Sequence, residues 1–525
     1  MSSESTTDAA AAQARTGVDT GRLSTGLNDE AHAIVYDQYL DRDDAADGLG
    51  EELRLISEVD RAHLVMLTER GIVEPARAAA LLQAIAELRR CDFAAVRARP
   101  MPRGVYLAYE GLLTERLGEG VGGVMHTGRS RNDLNATTAR LRGRGHFLRL
   151  VDATETFAET LLNKAEEHSG VVMPAYTHGQ PAVPITYGHY LAGVGCSVLR
   201  ALEDLLHAGR ELDVNPLGAG AVGGTSVSID PERTSVLLGF AGPARNSVDA
   251  VASRDFALRL LAAASGLGVT VARVARDFSA WTSEEAGLLR LADDLVGSSS
   301  MMPQKRNPFL LEHVQGRATA SLGAFTAAAS SMATASYTNA IAVGTEALRH
   351  TWPGLGNATD AVTLLRLVVH GGEPDAQRML RRAVEGFTPA TYLAERLVFA
   401  GMPFRSAHHL VGKTVVLALD TSRSFAEAAR DVPEIARLAA QHGAPESTGG
   451  VDDWLQPAAV ARACAYGGGP GGDSTARAVA GLRADLEKVR ADSKERRTRW
   501  AAGRAALDAA VETLVPTLPG TPTQP

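Results

Sequence analysis

The chain has 525 residues, a formal net charge of −8 and 45% hydrophobic residues. This length is enough for a large core and for more than one domain, and the acidic balance offers no general basic surface for nucleic acid. No uninterrupted apolar run approaches the roughly 20 residues of a membrane span, and the first residues lack the pattern of a secretory signal. We therefore expect a cytoplasmic protein that binds neither nucleic acid nor membrane.

Three widely spaced cysteines, Cys91, Cys196 and Cys464, form neither a Cys-x-x-Cys motif nor a Cys/His cluster. Their odd number and their spacing argue against a disulfide framework and against a structural zinc site. We expect each to be a small buried hydrophobic residue, and we expect no metal centre.

Helical periodicity dominates the chain. Apolar residues recur at helical spacing over residues 132–170, where a glycine closes the pattern. At about 1.5 Å per residue, this helix would be roughly 50 Å long. Similar patterns cover residues 183–212, 247–290, 309–335 and 475–513.

The predicted fold is all-α, with long helices that form an elongated central bundle. The stretch SGVVMPAYTH is short and interrupted by proline, which argues against a strand. One chain cannot cover all the apolar side surface of such a bundle, so we expect a homo-oligomer.

Three blocks follow from this pattern. Residues 1–128 form an N-terminal helical domain with a disordered tail to about residue 20, residues 129–385 form the long-helix domain, and residues 386–525 form a C-terminal helical domain. The last block opens with Thr388, Pro389 and Ala390, which resembles a helix N-cap with proline in the first turn.

The first polar stretch between helices is HTGRSRND, residues 126–133. It is either an arginine-rich solvated turn capped by Asp133, or an anion clamp. In the second interpretation, Ser130, Arg131 and Asn132 offer donors just ahead of a helix N-terminus, which itself attracts negative charge.

The second polar stretch, residues 173–193, places Thr177 and His178 in a proline-punctuated loop. A single histidine is more often structural than catalytic. Here, however, Thr177, His178 and Gln180 together offer hydrogen-bond donors and a group able to move protons near neutral pH.

The third polar stretch is glycine-rich, covers residues 215–234 and leads on to 246–258. It lacks a preceding strand and both nucleotide-binding fingerprints, so we reject a phosphate loop. Arg254 is either a surface charge or a member of an ordered polar cluster with Asp249 and Asp255.

The fourth polar stretch, GSSSMMPQKRNP over residues 297–308, is too rich in glycine, serine and proline for a helix. Its serines suggest a base or a nucleophile. A serine hydrolase would carry a G-x-S-x-G elbow, which is missing here. The alternative is a serine acidified by a nearby cation and by backbone donors, whose alkoxide removes a proton.

Together, these motifs resemble the argininosuccinate lyase branch of the fumarase/aspartase superfamily. The family's motifs recur in the same order and with matching residues: HTGRSRND, YTHGQPA, PLGAGA, NSVDAV, SSSMMPQKRNP and the C-terminal GMPFRSAHHLVGK. The resemblance implies a three-domain all-α fold and a homotetramer around a twenty-helix bundle, with active sites shared by three subunits. It also implies reversible β-elimination from a succinyl compound with release of fumarate, without a metal or an organic cofactor.

The resemblance also implies roles for particular residues. Ser299 would be the catalytic base, Lys305 would stabilise the carbanion, and His178 would assist protonation or orient the leaving group. The residues that would bind or organise the dicarboxylate substrate are Ser130, Arg131, Asn132, Thr177, Arg254, Ser300, Asn307 and Tyr337.

The chain departs from the family in places that bear on the substrate. Residues 30–60 contain no match to a family segment that contacts the arginine half of argininosuccinate, and Tyr106 stands where a family histidine would be. Ala342 and Thr345 take the places of a glutamine and a lysine used on the amine side, and Ser298 replaces a glycine. A site that loses such polar donors loses much of its affinity for the group they bound.

The resulting hypothesis is a carbon–nitrogen lyase that acts, in either direction, on an N-substituted aspartate or related succinyl compound whose leaving group is not arginine. A genuine argininosuccinate lyase with a diverged N-terminus is the first alternative. The second is an inactive structural protein, similar to the lens crystallins of the superfamily.

Overall fold

The structure, a computed structural model, describes residues 28, 30–31, 44–101, 104–442 and 451–515. Helices dominate these ranges and the few strands are short, which confirms the all-α prediction. The tail that we predicted to be disordered lies outside the described residues.

The N-terminal block is a group of packed helices that leads into the bundle. Its helices are α1 (Asp44–Glu69), α2 (Pro75–Arg90), α3 (Ala94–Arg97), α4 (Val105–Leu117) and α5 (Glu119–Gly122). Leu53, Ile85 and Tyr109 are fully buried in one hydrophobic cluster, which also includes Leu134 from the first bundle helix. This shared core fixes the N-terminal block against one end of the bundle.

The central region contains the long helices. Its helices are α6 (Arg131–Glu167), α7 (Tyr187–Ala208), α8 (Pro231–Leu237), α9 (Ser247–Ala252), α10 (Asp255–Trp281), α11 (Phe309–Ala333) and α12 (Ala347–Gly371). Of these, α6, α7, α10, α11 and α12 pack side by side around the main hydrophobic core. Small residues let them approach closely, since a Cβ added at Gly268 of α10 would lie only 2.9 Å from the backbone oxygen of Ala318 on α11.

The bundle helices alternate in direction, so their connections gather at two opposite ends. We call the end where α6 begins the clamp end; it carries residues 126–130, 209–254 and 334–346. We call the other end the serine-loop end; it carries residues 168–186 and 282–308. The 37 residues of α6 separate the two ends by roughly 55 Å at about 1.5 Å per residue.

Short strand pairs lie in the connections between the helices. They are the antiparallel pair β1 (Val172–Thr177) and β2 (Gln180–Thr186), the parallel pair β3 (Val214–Asn215) and β4 (Gly242–Pro243), and the antiparallel pair β5 (Leu289–Leu291) and β6 (Gly372–Pro374). The prediction that proline rules out a strand around residue 174 was therefore wrong. Pro174 lies opposite Pro184 beside a bulge, and in a two-stranded hairpin each strand is an edge that tolerates a missing N–H.

The helix predictions were correct in position and less accurate at the ends. The helix predicted from residue 183 begins at Tyr187, because the preceding residues complete β2 and Thr186 Oγ1 accepts the amide of His189 at 3.0 Å. The pattern over 247–290 divides into α9 and α10 and ends at Trp281.

The C-terminal region is also helical. Its helices are α13 (Ala376–Glu385), α14 (Ala390–Phe399), α15 (Phe404–Asp420), α16 (Phe425–Arg430), α17 (Pro433–His442), α18 (Val451–Leu455), α19 (Pro457–Ala463) and α20 (Ser474–Leu514). Leu393, Val411 and Trp454 belong to a separate hydrophobic cluster, whereas α20 returns to the bundle and buries Leu486 in the main core. The three-domain division stays a prediction.

Two local predictions were wrong. Thr388 does not cap α14; its hydroxyl donates to the carbonyl of Ala383 at 2.7 Å and so closes the end of α13. None of the three cysteines is fully buried, and Cys91 is exposed because it lies at the C-terminal cap of α2.

Among the described residues, α10 has the length and apolar composition of a membrane-spanning helix. Half of that apolar stretch is buried inside the protein. Its packing against α7, α11 and α12 is that of a core helix.

Candidate active site

The clamp begins where α6 begins. Ser130 is the N-cap: its hydroxyl accepts the amide of Asn132 at 3.3 Å, and Asp133 Oδ1 accepts the amide of Ser130 at 2.8 Å. This reciprocal capping box fixes the first turn of the helix and therefore the position of the predicted donors. Arg131 is exposed on the same turn.

Asp133 also joins the clamp to the glycine-rich stretch. Its second oxygen, Oδ2, accepts the amides of Gly218 and Gly220, both at 3.0 Å. Both glycines have positive φ angles, of 107° and 61°, which favour glycine. Asn132 Nδ2 donates to the carbonyl of Ala221 at 3.2 Å. Asp133 thus caps the turn while it is 0% exposed, and of the two arginines of the turn Arg131 is exposed and Arg129 is buried.

The stretch around α9 completes the clamp end. Asn246 caps α9, and the hydroxyl of Ser247 donates to the carbonyl of Val222 at 2.7 Å. The hydroxyl of Tyr337 donates to Asp249 Oδ1 at 2.8 Å, and this bond raises the pKa of Tyr337. The glycine-rich stretch thus contacts both the clamp and α9, and α9 contacts Tyr337.

Arg254 lies below this surface. It is 1% exposed, and its Nη1 donates to the carbonyls of Val251 and Ser253 at 2.8 and 2.9 Å. Burial, together with the nearby guanidinium of Arg140, lowers the pKa of Arg254 to about 9. The side chain therefore supports the end of α9 from within, and the alternative of a surface charge was wrong.

The predicted cluster of Asp249, Arg254 and Asp255 does not form. Asp249 pairs with Tyr337, and Asp255 accepts a short hydrogen bond from the hydroxyl of Ser253. Arg254 is buried instead, and its Nη1 bonds to the backbone carbonyls of Val251 and Ser253.

At the serine-loop end, the β1–β2 hairpin presents His178. Thr177 pairs with Gln180, and the two residues between them, His178 and Gly179, have φ angles of 54° and 76°. Positive φ at both central residues is the signature of a type I′ turn. A histidine in this region is uncommon, and the turn leaves Thr177 and His178 exposed at its tip.

The two ends of the loop that carries Ser299 are joined by hydrogen bonds, and we call this junction the neck of the loop. Gly297 and Asn307 exchange two backbone hydrogen bonds of 2.9 and 3.0 Å. Inside the loop, Ser299 Oγ accepts the amide of Met302 at 3.0 Å and that of Met301 at 3.4 Å. Backbone donors aimed at a hydroxyl oxygen stabilise negative charge on it.

The remaining loop residues divide into an anchor and an exposed tip. Arg306 forms a short ion pair with Asp293, and its Nη2 donates to the carbonyl of Leu291 at 2.7 Å. Ser300 and Lys305 are exposed at the tip. The sequence patterns did not indicate the role of Arg306, because its partners lie before the loop and only the fold brings them to its neck.

The structure does not bring all the predicted site residues together within one chain. Ser130, Asn132 and Tyr337 lie at the clamp end, whereas His178 and Ser299 lie at the serine-loop end, a helix length of roughly 55 Å away. A small substrate that contacts both sets therefore needs residues from more than one chain.

A group of carboxylate and imidazole ligands also lies near the hairpin. Among the described residues, Glu167, His168 and Glu373 could together hold a metal ion. Lys164 Nζ already lies 3.1 Å from Glu167 and 3.2 Å from Glu373. The ammonium group of Lys164 thus already supplies a positive charge at this position, and we propose no metal there.

Two family models match the chain. The model described as lyase covers residues 55–323, and the model described as argininosuccinate lyase C-terminal covers residues 387–458. Among curated proteins, the argininosuccinate lyase of Methanoculleus marisnigri is 38% identical over 360 residues, which are 68% of this chain and 73% of that protein.

Solved structures resemble the whole fold. An EDDS lyase in complex with formate superimposes with a TM-score of 0.81 at 29% identity, over 93% of this chain and 96% of the other. An EDDS lyase variant with bound fumarate gives a TM-score of 0.83 at 28% identity, over 95% of this chain and 98% of the other.

Proposed function

Because the chain belongs to the argininosuccinate lyase branch of the fumarase/aspartase superfamily, we propose that it is a carbon–nitrogen lyase that releases fumarate from an N-substituted aspartate. The leaving group is an amine other than arginine, and the reverse reaction adds that amine to fumarate. The observation that carries the proposal is the hydroxyl of Ser299, which faces two backbone amides inside a closed loop.

The chemistry follows from this arrangement. The alkoxide of Ser299 removes the proton from the carbon next to one carboxylate, and the negative charge spreads into that carboxylate. Lys305 and the main-chain donors of the loop stabilise the resulting dianion. The carbon–nitrogen bond then breaks, its electron pair leaves with the nitrogen, and the carbon–carbon double bond of fumarate forms. His178 assists protonation of the leaving nitrogen or orients it.

The clamp end holds the dicarboxylate. Ser130, Arg131 and Asn132 offer donors at the start of a long helix, where the helix dipole also favours an anion. Ser300, Thr177 and Asn307 contribute further contacts from the serine-loop end, and Arg254 acts from below the surface.

The separation of the two ends supports a homotetramer whose active sites are shared between subunits. In such an assembly, the clamp of one chain lies beside the hairpin and serine loop of others. The small, exposed polar patches at each end are then halves of one enclosed site.

The amine side supports a leaving group other than arginine. Residues 342–346 form a π-helical turn ahead of α12, a distortion often found at functional sites. Its Ala342 and Thr345 offer fewer donors than the glutamine and lysine expected there, and the neighbouring Ile341 is 72% exposed. An arginine leaving group carries an α-carboxylate that accepts hydrogen bonds, and it would find few donors on such a surface.

The second candidate is a genuine argininosuccinate lyase, which the 38% identity to the argininosuccinate lyase of Methanoculleus marisnigri favours. One assay separates the two. The ultraviolet absorbance of fumarate is followed after argininosuccinate is added to the purified enzyme, and then in reverse, with fumarate and a panel of primary amines. We expect consumption of fumarate with an amine and no release from argininosuccinate; release from argininosuccinate supports the second candidate.

Ser299→Ala tests the base, with Ser298→Ala as the matched control in the same exposed loop. Loss of a general base costs about 10²–10⁴ in rate. We therefore expect Ser299→Ala to lose at least about 10²-fold in kcat and Ser298→Ala to stay within a few-fold of wild type. Near-normal turnover of Ser299→Ala would contradict the proposed mechanism.

A further inference from the structure

A buried polar cluster lies beneath the clamp, and the reaction described above does not use it. We call it the clamp anchor: Asp60 and His63 from α1, Tyr106 from α4, and His126 and Arg129 from the turn that leads into α6. Arg129 immediately precedes Ser130, so whatever fixes Arg129 also fixes the start of the clamp.

An ion pair forms the centre of the anchor. Arg129 Nη2 donates to Asp60 Oδ1 through a short hydrogen bond, and both side chains are 0% exposed. A buried ion pair contributes little net stability compared with apolar packing, but removing one partner leaves an uncompensated charge. Its presence here is better explained by the geometry that it imposes on the turn.

The hydroxyl of Tyr106 bridges the ion pair to the other side of the turn. It accepts from Arg129 Nη2 at 3.1 Å, donates to Glu110 Oε1 at 3.2 Å, and lies 3.0 Å from His126 Nδ1. One oxygen atom thus contacts both the first and the last residue of the turn 126–129. The hydroxyl of Tyr187, which is also buried but belongs to α7 in the bundle, has no hydrogen-bond partner.

A third attachment comes from α1. His63 is fully buried, and its Nε2 lies 2.8 Å from the carbonyl oxygen of Thr127. A carbonyl accepts, so Nε2 carries the proton. Two helices of the N-terminal block therefore hold the turn through three side chains, at His126, Thr127 and Arg129.

We propose that Asp60, His63 and Tyr106 are positioning residues that, through Arg129, hold the anion clamp in its binding geometry. The inference rests on the proposed function, because it assigns to the clamp a dicarboxylate ligand. Tyr106 stands where the resembling family has a histidine. Through these three side chains, the N-terminal block supports the binding machinery from beneath.

The test compares Tyr106→Phe with Tyr187→Phe in the full-length enzyme. Both changes remove one hydroxyl from a buried tyrosine, but only that of Tyr106 contacts the turn. Binding of succinate, an unreactive dicarboxylate, is measured by calorimetric titration, alongside KM and kcat for addition of an amine to fumarate and the melting temperature.

We expect Tyr106→Phe to weaken succinate binding and to raise the KM for fumarate roughly tenfold, the size of effect that one well-placed hydrogen bond carries. At saturation, kcat should change less than about threefold. Tyr187→Phe should match wild type in affinity and KM.

Equal succinate affinity in Tyr106→Phe and wild type would overturn the inference, and so would a lower melting temperature with unchanged affinity. If Tyr106→Phe does not fold, His63→Leu removes another attachment of the turn and is tested by the same titration with the same expected weakening. If wild type itself binds no succinate, the proposed function fails, and the inference fails with it.

Discussion

Asp133 is the residue whose replacement tests the clamp end most directly. Its carboxylate accepts four backbone amides, two on each oxygen, from Ser130, Leu134, Gly218 and Gly220. In Asp133→Asn, one oxygen becomes an NH₂ group that faces two N–H donors. Two hydrogen bonds are lost, and two buried amides are left without an acceptor.

The magnitude follows from these contacts. A hydrogen bond to a charged group contributes about 1.5–3 kcal/mol. Losing two of them therefore lowers the free energy of unfolding by about 3 kcal/mol or more, which for a chain of this length corresponds to about 3 °C or more in the melting temperature. Because the released glycine-rich stretch carries the acceptor of Asn132, we also expect a higher KM for fumarate.

The assay is thermal unfolding of purified Asp133→Asn, followed by fumarate kinetics well below its melting temperature. Asp230→Asn is the matched control. Asp230 caps α8 through a single bond of 3.0 Å to the amide of Arg233, and asparagine caps a helix about as well as aspartate. We expect the control to cost less than about 1 kcal/mol.

The reasoning is refuted if Asp133→Asn melts within about 1 °C of wild type, or if both variants lose the same stability. In either case, the four amides would be satisfied without a carboxylate.

Two further predictions concern pH and the serine loop. Burial and the nearby Arg129 lower the pKa of His63 to about 3 in the folded protein, whereas it is about 6.5 in the unfolded chain. The protein therefore keeps its full stability above pH 6.5 and loses stability as the pH falls towards 3. At pH 5, the free energy of unfolding is lower by about 2 kcal/mol. We expect His63→Gln to reduce this loss of stability, because its amide can still donate to Thr127 but does not titrate. Urea unfolding at pH 5 and 7 measures the loss, and an equal loss in the variant and in wild type would contradict the prediction. Arg306→Gln removes the anchor of the serine loop, and the resulting misplacement of the base should lower kcat about tenfold or more. The melting temperature should change little, because the lost ion pair is partly exposed. A normal kcat would show that the loop keeps its shape without Arg306.

The long helices could be predicted from sequence because their apolar periodicity continues over many turns. Their ends were less predictable: the residues before Tyr187 fit a helical pattern, but pairing with β1 placed them in a strand. The prolines of that hairpin were misleading, because a proline excludes a central strand but not an edge.

The candidate site was predictable as motifs but not as contacts. Local chemistry indicates that a serine three residues before Asp133 begins a helix, whereas nothing local shows that the same carboxylate reaches Gly218 and Gly220. The pairing of Asp60 with Arg129 was hidden for the same reason. The two residues are 69 positions apart in the sequence, and only the packing of α1 under the turn brings them together.

The length of α6 has a genetic consequence. If active sites are shared between chains as proposed, a chain damaged at the clamp end and a chain damaged at the serine-loop end have complementary defects. In a mixed oligomer, some active sites combine the two damaged ends, and others combine two intact ends. Two alleles that are each inactive would then restore part of the activity when expressed together, whereas two alleles damaged at the same end would not.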